Sequence, residues 1–196
     1  MYQPEVYVSI DIEADGHIPG DNSMLSFGAA AFVLDSLRSG GFREIGTFEA
    51  NLELLEGAQP NPDTMKWWAT QPEAWAECRK GTRHPREVMT EFQTWLKALP
   101  GNPVLAGYPV TYDFMWVHWY FVHFCGFPTP YGFQGLDIKT LVMDRMHCTF
   151  RNSTKRNMPK AWFAGTPKHT HKALDDARGQ GVLLMNILVG DYKQND

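Results

Sequence analysis

Residues 5–13 read Glu-Val-Tyr-Val-Ser-Ile-Asp-Ile-Glu. β-Branched and aromatic types dominate this stretch, which predicts a central strand that acquires acids only at its end. Along an extended chain, residues two apart project to the same face, so Asp11 and Glu13 point together while Ile12 points into the core. Two carboxylates on one face repel unless positive charge sits between them, and a hard divalent cation is the natural partner for oxygen ligands. In a chain with 22 acidic residues a D-x-E pair is unremarkable by itself. Its weight comes from its place at the end of so apolar a strand, where acids are costly without compensation.

Working outward, Gly16, Pro19, Gly20, Asp21 and Asn22 form a loop, residues 24–34 a nearly all-apolar second strand, and residues 45–53 a third. Asn61-Pro62-Asp63 predicts an N-cap with proline at the first helical position, opening a helix that runs to residue 78. A second helix over 85–99 carries Val88, Phe92, Trp95, Leu96 and Leu99 at helical spacing and stops at Pro100-Gly101. Residues 103–107 follow as a short strand, 112–124 as an apolar helix and 171–188 as the last helix. Strands first and helix-linked elements after predict an α/β domain with a mixed sheet.

The 196 residues fit one domain spanning 1–196, and 43% hydrophobic with 20% charged residues excludes a disordered or fibrous chain. No apolar run reaches the roughly 18 residues a membrane span needs, and no basic segment followed by an apolar one opens the chain. The expectation is a soluble cytoplasmic protein without a membrane partner. Cys78, Cys125 and Cys148 are odd in number and far apart, so neither a disulfide framework nor a thiolate zinc site is suggested. A net charge of -4 argues against a protein that coats nucleic acid. It does not exclude an enzyme whose acids are neutralised by metal before a phosphate arrives. Between Arg145 and Leu174 stand seven basic residues and no acid, which predicts a long loop with cations to offer a substrate.

Two further acids belong with the first pair. Asp113 lies in the first turn of the helix 112–124, where capping and the macrodipole favour aspartate, but also just beyond the C-terminal end of a strand, where α/β sheets build sites. Both readings hold together. The segment His171-Lys-Ala-Leu-Asp175-Asp176 opens the last helix. One carboxylate can face the sheet from that helix while the imidazole, a group suited to moving protons at neutral pH, precedes it.

The ordered set Ser9-Ile-Asp11-Ile-Glu13, Asp113 after a short strand, and His171-Lys-Ala-Leu-Asp175-Asp176-Ala-Arg resembles the DEDDh exonucleases. Among these are ribonuclease T, oligoribonuclease and the proofreading subunit of bacterial replicases. Met24-Leu-Ser-Phe-Gly-Ala-Ala is similar to the second-strand segment there, and Thr64-Met-Lys-Trp67-Trp68-Ala-Thr-Gln71 resembles a segment of the ribonuclease-T-like exoribonucleases. The resemblance spans residues 5–188 and implies a ribonuclease H-like, mixed five-stranded sheet flanked by helices. It implies that Asp11 bridges two Mg²⁺ or Mn²⁺ ions, that Glu13, Asp113 and Asp176 complete their coordination, and that His171 is the general base. The spacing within the family motif selects Asp176 over Asp175, and His169 has no acid at that spacing. Asp137, in Gly135-Leu-Asp137-Ile-Lys-Thr-Leu, belongs to a segment where aspartate supports structure.

The implied activity is 3′→5′ removal of nucleoside 5′-monophosphates from single-stranded ends, with RNA preferred through the nearer resemblance. Trp67, Phe114 and Trp116 are candidates for stacking on bases, and Lys168 for contacting phosphate. Alternatives are a DNA exonuclease of the proofreading type and a non-catalytic nucleic-acid or protein-binding module on the same fold. Relatives are often dimers, and seven tryptophans permit a homodimer interface.

Overall fold

In the computed structural model, which describes residues 4–35, 41–167 and 170–192, the opening stretch forms β1 (Glu5–Ala14) at the centre of a five-stranded sheet. The strand order is β3-β2-β1-β4-β5. On one side of β1, β2 (Met24–Asp35) and β3 (Gly41–Asn51) continue as an antiparallel meander. On the other, β4 (Asn102–Gly107) and β5 (Gly135–Asp137) add in parallel. The sheet is thus mixed and α/β, as the strand-first pattern and the resemblance led us to expect. Where the direction of pairing changes, the carboxyl ends of β1 and β4 lie side by side, with Ser9 opposite Ala106.

Both faces of β1 are covered, for different reasons. Val6, Val8, Ile10, Ile12 and Ala14 pack with Val88, Phe92 and Leu96 of α3 (Pro85–Ala98) and with Val117 and Phe121 of α4 (Val110–Cys125). On the opposite face Ala30, Phe32 and Ala106 meet Leu183, Leu184 and Ile187 of α6 (Ala173–Tyr192), with Ile138 and Val142 of α5 (Ile138–Arg145) beside them. Asp11 and Glu13 alternate onto this second face.

What brings α6 down beside them is a missing side chain. Gly28 pairs with Asp11 in the β1–β2 ladder. A Cβ on Gly28 would stand 2.3 Å from both the carbonyl carbon of Ala173 and the nitrogen of Leu174, far inside any tolerable contact. The helix therefore touches the sheet backbone itself.

Several boundaries differ from the sequence expectation. The helix expected from 61 to 78 is two helices, α1 (Pro62–Trp68) and α2 (Pro72–Cys78). Pro72 disfavours helical backbone at Gln71, so α1 ends first. Asn61 does cap α1, its side-chain oxygen accepting from the nitrogens of Asp63 and Thr64, each at 3.0 Å. The last helix begins at Ala173 rather than 171, because His171 adopts φ 55°, outside helical backbone. β3 starts at Gly41, pulled into the ladder by pairing with Asp35. The basic stretch after α5 is not a featureless loop. Its two 3-10 turns (Lys155–Asn157 and Lys160–Phe163) flank buried Met158, and Ser153 just before them is also buried.

Candidate active site

Four acids and one histidine converge where β1, α4 and α6 meet. Asp113, in the first turn of α4, is buried, and its Oδ1 accepts from the backbone nitrogen of Ile12 at 3.3 Å. Asp113 is thereby fixed to the peptide that separates Asp11 from Glu13. Its room is supplied by Gly107, where a Cβ would approach Asp113 Oδ2 to 3.3 Å. From α6, Asp176 is buried, and its Oδ1 accepts from the nitrogen of Thr170 at 3.2 Å. Ligand atoms of Glu13, His171 and Asp176 all lie within 4.8 Å of one another. Asp175, by contrast, bonds Thr170 Oγ1 at 2.9 Å and serves the helix start.

The charges are unhappy together, and that is informative. Burial, then Asp113, Glu13 and Asp176, push the Asp11 carboxyl well above its ordinary value. Burial, followed by Asp176 and Asp113, raises Glu13 to about 8. Asp113 rises to about 7, chiefly by burial and against the lowering effect of the Ile12 peptide bond. A cluster of oxygen donors that resists ionisation at neutral pH asks for added positive charge, and divalent cations meet that demand. The donor set fits Mg²⁺ or Mn²⁺, and no thiolate stands among its members.

His171 carries strain. A left-handed conformation costs a non-glycine residue about 1–3 kcal/mol and persists only where the surroundings impose it. Its ring stands 5.5 Å from that of Trp67, nearly perpendicular at 79°. Trp68, beside Trp67, is buried and donates from Nε1 to the carbonyl of Ala14 at 2.9 Å, which pins α1 to the end of β1. Trp67 is left 40% exposed and walls an open cleft of about 390 Å³ with Ile12, Glu13, Ala14 and Tyr112. Tyr112 donates from its hydroxyl to the Gly16 carbonyl at 3.0 Å, holding the loop that follows β1.

One expected stacking residue is corrected here, and a second lines a different depression from that of Trp67. Trp116 is fully buried in the layer between β1 and α4, with no face for a base. Phe114 packs against His118 at 5.2 Å and Tyr131 at 5.8 Å, beside a separate apolar depression formed with Met115 and Trp119. Lys168 and His169 lie outside the described residues. Asp137 supports structure, with Oδ1 accepting from the Thr140 nitrogen at 2.6 Å and Oδ2 from that of Val110 at 2.9 Å.

Two groups escaped the sequence reading. Gln180 is buried, donates from Nε2 to Asp11 Oδ1 at 2.7 Å and accepts at Oε1 from the Tyr108 nitrogen at 2.7 Å. It stands one helical turn after Asp176, a spacing that places both on one face and is legible in retrospect. Lys155 is the second. It bears electrostatically on Asp11 and Asp113, lowering both, and nothing in the basic stretch singled it out.

With this geometry in view, comparison with known families is decisive. The model of the family described as 3′-5′ exoribonuclease Rv2179c-like domain matches residues 6–188. The chain belongs to this family. It is a 3′→5′ exonuclease with a DEDDh-type fold. The Escherichia coli 3′-5′ DNA exonuclease Cap18 is 27% identical over 186 residues, covering 93% of this chain and 91% of its own. Among solved structures, the nuclease domain of 3′hExo, a DEDDh family member bound to rAMP, superimposes with a TM-score of 0.66 at 12% identity. The match covers 97% of this chain and 93% of that one. S. pombe Pop2p, in its Mg²⁺- and Mn²⁺-bound form, gives a TM-score of 0.61 at 13% identity over 96% of this chain and 82% of its own. Among the described residues, no helix is long and apolar enough to cross a membrane.

Proposed function

We propose that Asp11, Glu13, Asp113 and Asp176 hold two divalent cations, Mg²⁺ or Mn²⁺, and that His171 is the general base of a hydrolysis releasing nucleoside 5′-monophosphates from single-stranded 3′ ends. The observation that carries the proposal is the meeting of Glu13, His171 and Asp176 within 4.8 Å, next to an Asp11 and an Asp113 whose ionisation burial opposes. Held there, such ions would supply the charge that acidifies an attacking water and neutralises the departing 3′ oxygen. The rest is done by the chain. Trp67 and Tyr112 offer flat apolar walls against which the terminal base can stack, with Glu13 at the edge of the same cleft. His171 removes the proton as the water oxygen bonds to phosphorus, and the bond from phosphorus to the 3′ oxygen of the preceding nucleotide breaks. Gln180 holds Asp11 in one orientation throughout.

We place RNA first among substrates, because the family description names an exoribonuclease. DNA is the second reading, favoured by the Cap18 relative. Residues 1–196 would act as one domain, and the seven tryptophans leave room for a homodimer interface. Incubation with Mn²⁺ and matched RNA and DNA oligomers, labelled in turn at each end, reports direction and sugar preference together. A 3′-to-5′ ladder of monophosphates, faster on RNA, absent in EDTA and absent for Asp11→Asn, is expected. Cleavage by Asp11→Asn at the wild-type rate in EDTA would remove the two-cation reading.

A further inference from the structure

The acidic site opens in two directions. The cleft of Trp67 and Tyr112 reaches it at Glu13, and a smaller depression of about 170 Å³ reaches it at Asp176, where Lys155, Thr166 and Gln180 form other parts of the wall. The two concavities share no wall residue and meet where Glu13 and Asp176 approach each other. Only the first is accounted for by a terminal nucleotide.

The surface beside the second is basic and aromatic by construction. Lys155 Nζ stands 5.3 Å from the centre of the Tyr108 ring, and Lys139 Nζ stands 5.8 Å from the same ring and 4.8 Å from that of Phe150. Phe150 is 48% exposed. The shelf is anchored below, because the Ser153 carbonyl accepts from both the Tyr108 hydroxyl and Lys139 Nζ, and Ser153 is fully buried. It is also joined to the acids, since the Tyr108 nitrogen donates to Gln180, which in turn donates to Asp11. Cations interleaved with exposed rings are the means by which single strands are held without regard to sequence: the cations take phosphates and the rings take bases.

Resting on the exonuclease reading above, we infer that Lys155 binds the phosphate upstream of the scissile one and that Phe150 stacks on the base preceding it. A strand whose last nucleotide fills the Trp67 cleft lays its scissile phosphate over the carboxylates, and the chain then leaves past Asp176 toward Lys155.

The test uses substrates that differ in upstream phosphates. A dinucleotide with a free 5′ hydroxyl carries only the scissile phosphodiester, whereas a tetranucleotide adds two. For the wild type in Mn²⁺, kcat/KM should rise with length. Lys155→Gln should cut the tetranucleotide-to-dinucleotide ratio by about tenfold, the scale of one charge-assisted contact. It should also make the salt dependence of single-strand binding less steep by about 0.7 in log–log slope. Lys155→Arg should keep most of the ratio, and Phe150→Ala, at an exposed ring, should erode it as Lys155→Gln does. Retention of the wild-type ratio and slope by Lys155→Gln overturns the inference while leaving the exonuclease intact. An equal fall on both lengths overturns it too, because it places the lysine on the scissile phosphate or in the fold. A wild type inert toward every oligomer defeats the exonuclease reading and the inference with it.

Discussion

Asp11, Glu13 and Asp113 stand on a central strand and on the first turn of a helix packed against it, whereas His171 stands on a connection whose backbone is forced to φ 55° just before α6. Two of the first group are held by hydrogen bonds, Asp113 to the Ile12 nitrogen and Asp11 to the buried Gln180. The histidine meets the cluster from a different element and touches a partly exposed ring, Trp67. Charges that must hold cations need fixed separations, and a sheet supplies them. A group that must take and return a proton gains from being placed independently of that frame. Asp176 joins the two regions, since it lies on α6 but its Oδ1 is held by Thr170 of the histidine connection.

The difference can be broken most sharply at the histidine. His171→Ala should lower kcat by about 10²- to 10⁴-fold, the usual contribution of a positioned acid–base group, while leaving binding of Mn²⁺ within a few fold. Calorimetric titration beside turnover separates these effects. Weakened metal binding in step with lost turnover would make His171 part of the metal-holding frame instead.

A smaller effect is expected at Gly28, which lets α6 rest on β2 beside the strand that carries the acids. Gly28→Ala should destabilise the fold by about 1–3 kcal/mol, the scale of overpacking a tight interface, and reduce kcat through displacement of Asp176. Urea unfolding together with activity would show it. A variant as stable and as active as wild type would mean that α6 positions its acid without resting on β2.

The smallest effect concerns pH in the absence of metal. Glu13 and Asp113 are raised from ordinary values of 4.5 and 3.8 to about 8 and about 7. Groups raised on folding bind protons more tightly in the native state, so their contribution is fully present below the unfolded values and is lost as pH climbs through the folded ones. The melting temperature of EDTA-treated protein should therefore decline between pH 4 and pH 8, and the gain on adding Mn²⁺ should be greater at pH 8 than at pH 5. Glu13→Gln should flatten the decline. A metal-independent melting temperature at pH 8 would count against charge compensation in the carboxylate frame.

Much of the frame was legible because it depends on local rules. Alternation places Asp11 with Glu13, and proline with asparagine starts α1 at residue 62. The family spacing prefers Asp176 to Asp175, and the structure brings Asp176 beside Glu13 and His171 while both acids bond Thr170, Asp176 through its nitrogen and Asp175 through its hydroxyl. What failed were judgements about which side of an aromatic residue meets solvent. Trp67 and Trp68 are neighbours of identical type, yet one walls the cleft and the other is a buried anchor. Trp116 stands one helical turn after Asp113, but its ring is fully buried in the core, and Phe114, the next residue after Asp113, packs on His118.

By itself, then, the sequence pointed, through family resemblance, to the chemistry proposed for the site, and it determined the order of elements and the acid pair ending the first strand. Those features are set by alternation, capping and spacing along the chain. The tertiary structure alone decided that α6 rests on Gly28, that Gln180 clamps Asp11, and that Lys155 stands over Tyr108 beside the acids. Each of these depends on close approach between segments far apart in sequence. Such distances arise from how the helices pack on the sheet, and no local pattern encodes them.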